Sequence, residues 1–277
     1  MRTLTVASPR GGKLAVIARP GERRPYLLVH GLASHAGLWD EVAEALASAG
    51  HPVYALDLLG HGGSDPAPAG YGMAGAVADA EAVLDLLGLD GPVLVGQSWG
   101  GNVVVRLAAS RPAHGLALVD GGWIDLPADF GSWAACAATL RPADVDGQTA
   151  EALRERIRAA HPDWSERAVD ATVASLRTLP DGTVERRLPV EAHMRIVRSV
   201  YDDPPHRHLP QITAPTLLLP AIPSDPGRAA RVRRRVAKAA AHLRQPTVRE
   251  YLDADHDLHA QHPARLAEDL LTLAGPS

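Results

Sequence analysis

The stretch that decides the fold is VLVGQSWGGNVVVRLA, residues 93–108. Its first three apolar residues are typical of a short buried strand, and the apolar run after Gly101 predicts a helix. Between them lies a Gly-x-Ser-x-Gly motif with Ser98 at its centre. A sharp turn from strand to helix strains the serine backbone and exposes its hydroxyl, and the glycines leave room for the neighbouring segments. Ser98 is therefore predicted to be the nucleophile of a serine hydrolase.

Short apolar segments alternate with amphipathic ones on both sides of this turn. That alternation predicts an α/β fold with a mostly parallel central sheet flanked by helices. Residues 4–6 and 14–18 predict an antiparallel pair at the sheet edge. Buried parallel strands are predicted at Tyr26–Val29, Val53–Leu56, residues 93–95 and 116–119, Thr216–Leu219 and residues 248–252. Helices are predicted at residues 39–49, 73–87, 228–241 and 263–274.

The alternation of strands and helices stops between residues 123 and 209. Helical character, tryptophans and several prolines replace the strand pattern there. Because this segment lies between two predicted sheet strands, we expect a helical cap inserted into the core rather than a separate domain. The predicted organisation is a core of residues 1–122 and 210–277 with a cap of residues 123–209.

Composition limits the classes of function and partner. The chain has 277 residues, of which 46% are hydrophobic and 22% charged, so it has ample material for a globular core. A net charge of −4 gives no general attraction to nucleic acid or to an anionic membrane. We therefore expect a small-molecule substrate and neither nucleic acid nor membrane as a partner; the oligomeric state stays open. A single cysteine and the lack of a signal-peptide pattern favour a cytoplasmic location.

Three further motifs accompany the serine turn: YLLVHGL at residues 26–32, DLLGHGGSD at 57–65 and DHDLHAQHP at 255–263. In this order the four motifs resemble the α/β-hydrolase family, in its serine hydrolase branch, over essentially the whole chain. The resemblance implies the α/β-hydrolase fold and an oxyanion hole formed by the backbone amides of Leu32 and Trp99. His30, in the first motif, is expected to brace the oxyanion loop rather than to act as a second base.

The base that activates the serine must come from thirteen histidines. Imidazole suits the task because it titrates near neutral pH. His256 follows the last predicted strand and precedes the last helix, which completes the order serine, acid, histidine of this fold. His259 and His262 lie close to it, together with several aspartates, but their spacing matches no metal motif. We expect neither a metal nor an organic cofactor.

The acid behind His256 has two candidates. Asp225 resembles the usual family position, in the loop after Thr216–Leu219, although extra prolines surround it and the usual glycine is missing. Asp120 follows the preceding strand, a position that some relatives use and others keep only for structure. Asp225 is the preferred prediction and Asp120 the alternative. In either place the carboxylate would orient the imidazole and stabilise its protonated form.

The predicted reaction is hydrolysis of a carboxylic ester, thioester or lactone through an acyl-serine intermediate. A C–C bond hydrolase, lyase or cyclase could use the same triad, and a catalytically silent ligand-binding protein is the alternative from another class. Epoxide and haloalkane hydrolysis are disfavoured because those relatives carry aspartate where this chain has Ser98. Trp123 and Trp133 are predicted either to line the substrate pocket or to fill the core of the cap. The arginine-rich residues 228–235 predict a solvated helix face, since no aromatic residues interleave them.

Overall fold

The structure, a computed structural model, describes residues 1–145 and 147–275. Its centre is an eight-stranded sheet built from both ends of the chain. The first strands are β1 (Arg2–Ala7), β2 (Lys13–Arg19), β3 (Tyr26–Val29), β4 (Val53–Leu56), β5 (Val93–Gln97) and β6 (Gly115–Val119). The helices among them are α1 (Asp40–Ser48), α2 (Met73–Leu86) and α3 (Trp99–Ser110).

An insertion follows β6 before the chain returns to the sheet. It comprises α4 (Leu126–Phe130), α5 (Trp133–Leu140), α6 (Ala150–Ala160), α7 (Glu166–Ala174), the hairpin β7 (Leu176–Thr178) and β8 (Val184–Arg186), and α8 (Val190–Asp202). The last part comprises β9 (Thr216–Leu219), β10 (Ala221–Ile222), α9 (Pro226–Ala240), β11 (Pro246–Val248), β12 (Tyr251–Leu252), α10 (Leu258–Gln261) and α11 (Pro263–Leu271).

The strands of the sheet lie in the order β1-β2-β4-β3-β5-β6-β9-β11. The two pairs that involve β2 are antiparallel, and all other neighbours in the sheet run parallel. The predicted fold class and the antiparallel edge pair are confirmed. Since parallel strands end at the same edge of a sheet, the loops after β3, β5, β6 and β9 meet there.

The central strands are buried on both faces, which explains their unbroken apolar sequences. In β3, Leu27 and Val29 join the hydrophobic core that includes α2 and α3. Tyr26 and Leu28 alternate with them and join the opposite core, under α1 and α11. The two layers of helices thus cover the sheet on both faces.

The single strand predicted at residues 248–252 is wrong, because the chain forms two short strands there. β11 pairs with β9, and β12 pairs with β10. Pro220 separates β9 from β10 and carries no N–H group to continue the ladder of the sheet. The backbone N–H of Tyr251 instead donates to the carbonyl of Pro220 at 3.0 Å, which turns the chain away from the main sheet. This turn leads directly into the loop that carries His256.

The insertion is mainly helical, as the sequence indicates, but it also contains the unpredicted hairpin β7–β8. Leu153, Ile157, Trp164 and Val169 belong to a small hydrophobic core of its own, which Ala260 of the main domain joins. Polar contacts add to this attachment, among them Ser165 Oγ to the Glu41 carboxylate at 2.6 Å. In the part of the chain that the structure describes, no helix is long and apolar enough to cross a membrane.

Candidate active site

The serine turn has the strained geometry that its sequence predicts. Ser98 lies between β5 and α3 with φ 52° and ψ −122°, a backbone conformation that side-chain-bearing residues rarely adopt. Its backbone N–H donates to the carbonyl of Val119, at the end of β6, at 3.1 Å. The turn is thus tied to the neighbouring strand, and Ser98 sits half-buried at the amino end of a twelve-residue helix.

The two glycines of the motif are required by close packing. A Cβ atom on Gly96 would lie 2.3 Å from the backbone oxygen of Gly100. A Cβ atom on Gly100 would lie 2.4 Å from the carbonyl oxygen of Val29. Both distances are far inside van der Waals contact. Helix α3 can approach β3 and β5 this closely only because these positions lack side chains.

His256 and Asp120 form a hydrogen-bonded pair beside this turn. Nδ1 of His256 donates to Oδ2 of Asp120 at 2.5 Å. The other carboxylate oxygen, Oδ1, accepts the backbone N–H of Ala221 at 3.1 Å. The Asp120 backbone donates in turn to Leu219 at 2.9 Å. Both oxygens of the carboxylate therefore have fixed partners, and Nε2 of His256 is left as the proton acceptor of the ring.

The charge of Asp120 favours the protonated form of His256. Loss of water around the imidazole lowers its pKa, but the hydrogen bond and the negative charge of Asp120 outweigh that effect. The pKa of His256 therefore lies above its ordinary value. The imidazole is about half exposed, at 53%, whereas Asp120 is 17% exposed. A partly buried carboxylate thus holds an accessible ring.

Asp225, the preferred acid of the sequence prediction, does not pair with His256. Its side chain accepts the backbone N–H of Arg228 at 2.7 Å and so caps the amino end of α9. The extra prolines explain the difference: Pro226 occupies the first helical position, which makes Asp225 the capping residue. The preference for Asp225 over Asp120 as the partner of His256 was therefore wrong.

His30 braces the loop after β3. Its Nδ1–H donates to the carbonyl of Gly31 at 2.7 Å, and its Nε2 accepts the backbone N–H of Leu58 at 3.1 Å. Burial lowers the pKa of His30 to about 3, so the ring is neutral at physiological pH. Because both ring nitrogens already have backbone partners, His30 has the bracing contacts that the sequence predicts for it.

His61 is a second brace that the sequence analysis missed. Its Nε2 accepts the backbone N–H of Ala33 at 3.3 Å, and its Nδ1–H donates to Leu59. The ring lies between those of His30 and Trp99, at centroid distances of 4.9 and 5.7 Å. Burial lowers the pKa of His61 to about 3. His61 itself lies in the motif at residues 57–65, but only the fold brings its ring to the loop after β3.

Gln97 is a further residue that the sequence did not single out. It precedes Ser98 and is buried, and its Nε2 donates at 3.2 Å both to the His256 carbonyl and to Oδ1 of Asp257. The residue therefore links the serine turn to the loop that carries His256. Gly121, next to Asp120, also touches the turn, since a Cβ atom there would lie 2.2 Å from the Ser98 carbonyl oxygen. These contacts hold the serine turn next to the loop of His256 and to the segment that carries Asp120.

The predicted oxyanion amides lie at the start of two different segments. Trp99 is the first residue of α3, and Leu32 follows Gly31 in the loop that the two histidines brace. Within the described residues, neither backbone N–H donates a hydrogen bond to another protein group. Both are therefore available to an acceptor on a bound molecule.

The two tryptophans proposed for the substrate pocket have other contacts. Trp123 is buried in the main core. Trp133 packs edge-on against Tyr201, with centroids 5.6 Å apart, and Arg198 lies over its ring. Packing contacts account for the positions of both side chains, and a role in substrate binding stays a prediction.

His259 is fully buried against Trp39, with ring centroids 4.5 Å apart. Burial lowers its pKa to about 4. Within the described residues, no cluster of three or more histidine, cysteine or acidic side chains is arranged to hold a metal ion.

Comparison with known proteins identifies the family. A sequence model of the alpha/beta hydrolase family matches residues 26–269. The lipase LipV of Mycobacterium tuberculosis is 32% identical over 214 residues, which cover 72% of this chain and 74% of the lipase. A haloalkane dehalogenase of Psychrobacter cryohalolentis is 37% identical over 123 residues, covering 41% of this chain and 40% of that enzyme. The crystal structure of E-2-(acetamidomethylene)succinate hydrolase superposes with a TM-score of 0.80 at 20% identity, over 98% of each chain. The chain belongs to the alpha/beta hydrolase family, and it is a hydrolase of that family.

Proposed function

We propose that this protein is a serine hydrolase that cleaves a carboxylic ester, thioester or lactone through an acyl-serine intermediate. The observation that carries the proposal is the pair of His256 and Asp120 beside the strained serine turn. In the proposed triad Ser98 is the nucleophile, His256 the general base and Asp120 the acid that orients the imidazole. The lipase LipV lends support, because it is similar over most of its length.

The first half of the proposed reaction acylates Ser98. Nε2 of His256 takes the hydroxyl proton as Oγ attacks the carbonyl carbon and forms a new C–O bond. The imidazolium then gives this proton to the oxygen or sulfur of the leaving group as the bond between that atom and the carbonyl carbon breaks. The negative charge of Asp120, held by Ala221, stabilises the imidazolium between these two transfers.

The second half restores the enzyme. Water attacks the acyl carbon, His256 takes the proton of the water, and the same proton returns to Oγ of Ser98 as the acid product leaves. Negative charge develops on the carbonyl oxygen in both halves. In this proposal the free amides of Leu32 and Trp99 donate to that oxygen, and each such donor typically contributes about 3 kcal/mol.

Ser98 also separates this proposal from dehalogenase chemistry. Haloalkane dehalogenases carry an aspartate nucleophile at this position. Their covalent intermediate is an ester of that aspartate carboxylate. The match to the Psychrobacter dehalogenase covers 41% of this chain. With a hydroxyl at position 98, attack on an acyl carbon is the chemistry that we propose.

The test combines covalent labelling with turnover. A fluorophosphonate should label Ser98, identified by peptide mass spectrometry, and the protein should hydrolyse p-nitrophenyl acetate. Ser98→Ala should abolish both, whereas Ser110→Ala, at the exposed carboxyl end of the same helix, should change neither. Labelling of another residue, or full activity of Ser98→Ala, would contradict the proposed nucleophile.

A panel of ester, thioester and lactone substrates separates the proposal from its alternatives. Turnover of at least one class supports an acyl-transfer hydrolase. Labelling at Ser98 without turnover of any class would instead favour C–C bond cleavage or a silent ligand-binding protein. Tight binding of a ligand without any chemical change would then identify the latter.

A further inference from the structure

The turn between α6 and α7 contacts the segment around His256 through two hydrogen bonds. Nδ1 of His161 donates to Oδ2 of Asp255 at 2.8 Å, and Asp255 directly precedes His256. Nε2 of Gln261, the last residue of α10, donates to Oδ2 of Asp163 at 2.7 Å. We call these two hydrogen bonds the clamp. They join the insertion to both ends of the short segment that starts at Asp255 and ends at Gln261.

Gln261 connects the two hydrogen bonds of the clamp. Its Oε1 accepts the backbone N–H of Asp255 at 2.7 Å, while its Nε2 is bound to Asp163. Because His161 and Asp163 are two residues apart in the same turn, the three hydrogen bonds close a ring. A displacement of this segment relative to the insertion would therefore break both bonds of the clamp together.

Buried packing fixes the insertion side of the clamp. The His161 ring stacks on Trp164, with centroids 4.1 Å apart and an interplanar angle of 21°. Trp164 is buried and belongs to the small hydrophobic core of the insertion, which Ala260 of α10 joins. The backbone N–H of Trp164 also donates to the His161 carbonyl at 3.1 Å. The donor of the clamp is thus held against a buried side chain.

The strand before His256 gives its loop little support. β12 has two residues and pairs with the equally short β10. Asp253, which follows β12, has φ 52° and turns the chain out of the strand. His256 itself is half exposed. Its position therefore depends on side-chain contacts: with Asp120, with Gln97 and through the clamp.

We infer that His161 and Gln261 are positioning residues that hold His256 in place for proton transfer. This inference rests on the proposed function, in which Nε2 of His256 moves the proton while Nδ1 stays bonded to Asp120. Proton transfer needs heavy atoms within hydrogen-bond distance, and a displacement of about 1 Å can lower a rate about a hundredfold. The insertion thus takes part in the chemical step through its contact with the loop of the base.

Two substitutions cut the clamp without adding charge. His161→Phe keeps an aromatic ring for the stack on Trp164 but lacks the donor, and Gln261→Met keeps a long side chain without the amide. Each alone should lower kcat for p-nitrophenyl acetate about two- to threefold, since single exposed contacts contribute little. The double variant should lose at least about tenfold in kcat, because the loop then loses both links. KM should stay within about twofold, because the loss falls on the chemical step.

A conservative variant and a control accompany these substitutions. His161→Asn should keep nearly the full kcat, because its amide nitrogen can donate from a position close to that of Nδ1. Arg167→Ala is the matched control, since Arg167 joins the same part of the insertion to α1 through Asp40 and Glu44, at 2.6 and 2.7 Å. It should leave kcat unchanged, because it loosens the insertion without touching the segment around His256.

Proton NMR of His256 gives a readout that does not depend on turnover. The Nδ1–H proton, shared with Asp120, should give a downfield signal, which is assigned by its loss in His256→Ala. In the double variant this signal should weaken. The pKa of His256, raised in the wild type, should fall towards the ordinary value of about 6.5.

The double variant keeps the charged residues that face His256. Asp120 and Asp257 raise the pKa of the ring. Other charged residues line the cleft beside it: Asp253, Asp255, Arg228, Arg231 and Arg235. Loss of positive charge at His161 would raise the pKa of His256 rather than lower it. A lowered pKa in the double variant therefore indicates a weaker contact with Asp120.

The two readouts separate this inference from the proposed function. If the wild-type protein hydrolyses no substrate but the pKa of His256 falls in the double variant alone, the positioning role stands and the proposed reaction fails. If esters are hydrolysed and the NMR signal and pKa stay unchanged in the double variant, only the positioning role is wrong. Equal changes in Arg167→Ala would also overturn it. Circular dichroism should show that all variants fold.

Discussion

The loops after β3 and β4 carry His30 and His61, the loop before α10 carries His256, and these loops give their histidines opposite surroundings. His30 and His61 are buried, with backbone groups at both ring nitrogens, and burial lowers the pKa of each to about 3. His256 is half exposed and bound to a carboxylate, and its pKa is raised. The same kind of side chain is thus a neutral brace in the first two loops and a titrating group in the third.

The difference lies in the partner rather than in the sequence position. A buried imidazole that contacts only backbone groups loses its proton easily, because nothing compensates for the lost water. A carboxylate such as Asp120 supplies that compensation and leaves the second nitrogen free to accept a proton.

The largest effect is expected from His256→Ala. Without a base to take the proton of Ser98, kcat of the protein should fall by at least about a thousandfold. Substitutions of triad residues in serine proteases have effects of this size. The exposed His242 provides the control, and His242→Ala should keep full activity. Circular dichroism should show that both variants fold. An active His256→Ala protein would show that His256 is not the base and differs from the bracing histidines only in its surroundings.

The substitution Asp120→Asn should lower kcat by about 10³- to 10⁴-fold, because an amide cannot stabilise the imidazolium and can favour the wrong tautomer. Asp225→Asn should leave kcat within about twofold, since asparagine is an equally good helix cap. Steady-state kinetics on one ester for both variants decide the matter. A loss of activity in Asp225→Asn alone would reverse the assignment of the acid.

The pH dependence of kcat/KM should reflect the raised pKa of His256. The base acts only when neutral, so activity should fall as the pH drops through a pKa that lies above the ordinary value of about 6.5. The Asp120→Asn substitution removes the negative charge that raises the pKa of His256. The inflection in the pH profile of the residual activity should therefore move to lower pH. An unchanged inflection would mean that Asp120 does not set the titration.

The braces should show their effect mainly in stability. His61 keeps its neutral form in the folded state, while the unfolded chain binds a proton below about pH 6.5. The contribution of His61 to the free energy of unfolding should therefore be complete above that pH. It should decline as the pH falls below it, by up to about 1.4 kcal/mol per pH unit.

The variant His61→Phe removes this titration. Its free energy of unfolding, measured by urea denaturation between about pH 4 and 7, should depend less on pH than that of the wild type. Its kcat should fall only severalfold, because the hydrogen bond from Ala33 is lost but the chemistry is kept. A thousandfold loss of kcat would indicate that His61 takes part in proton transfer.

Much of the fold and of the site could be predicted from local sequence. The serine turn, the strands β3, β4 and β9 and the choice of His256 all depend on spacing within a few residues of the motifs. His61 and Gln97 escaped notice because their importance lies in contacts with segments distant in the chain. The division of the predicted strand 248–252 into β11 and β12 depends on Pro220, which lies some thirty residues earlier in the chain.

The carboxylate that pairs with His256 shows most clearly where prediction from the sequence ends. The sequence by itself determined that the chain is an α/β hydrolase with Ser98 at its turn and His256 in the last loop. The sharp turn requires glycines beside the serine, so a short motif is enough to predict it. Only the tertiary structure decided which of the two carboxylates, Asp120 or Asp225, pairs with His256. Both follow sheet strands, and the choice depended on which carboxylate lies within hydrogen-bond distance of a ring more than a hundred residues from Asp120. That distance is set by the packing of β6, β9 and β12, which no local pattern encodes.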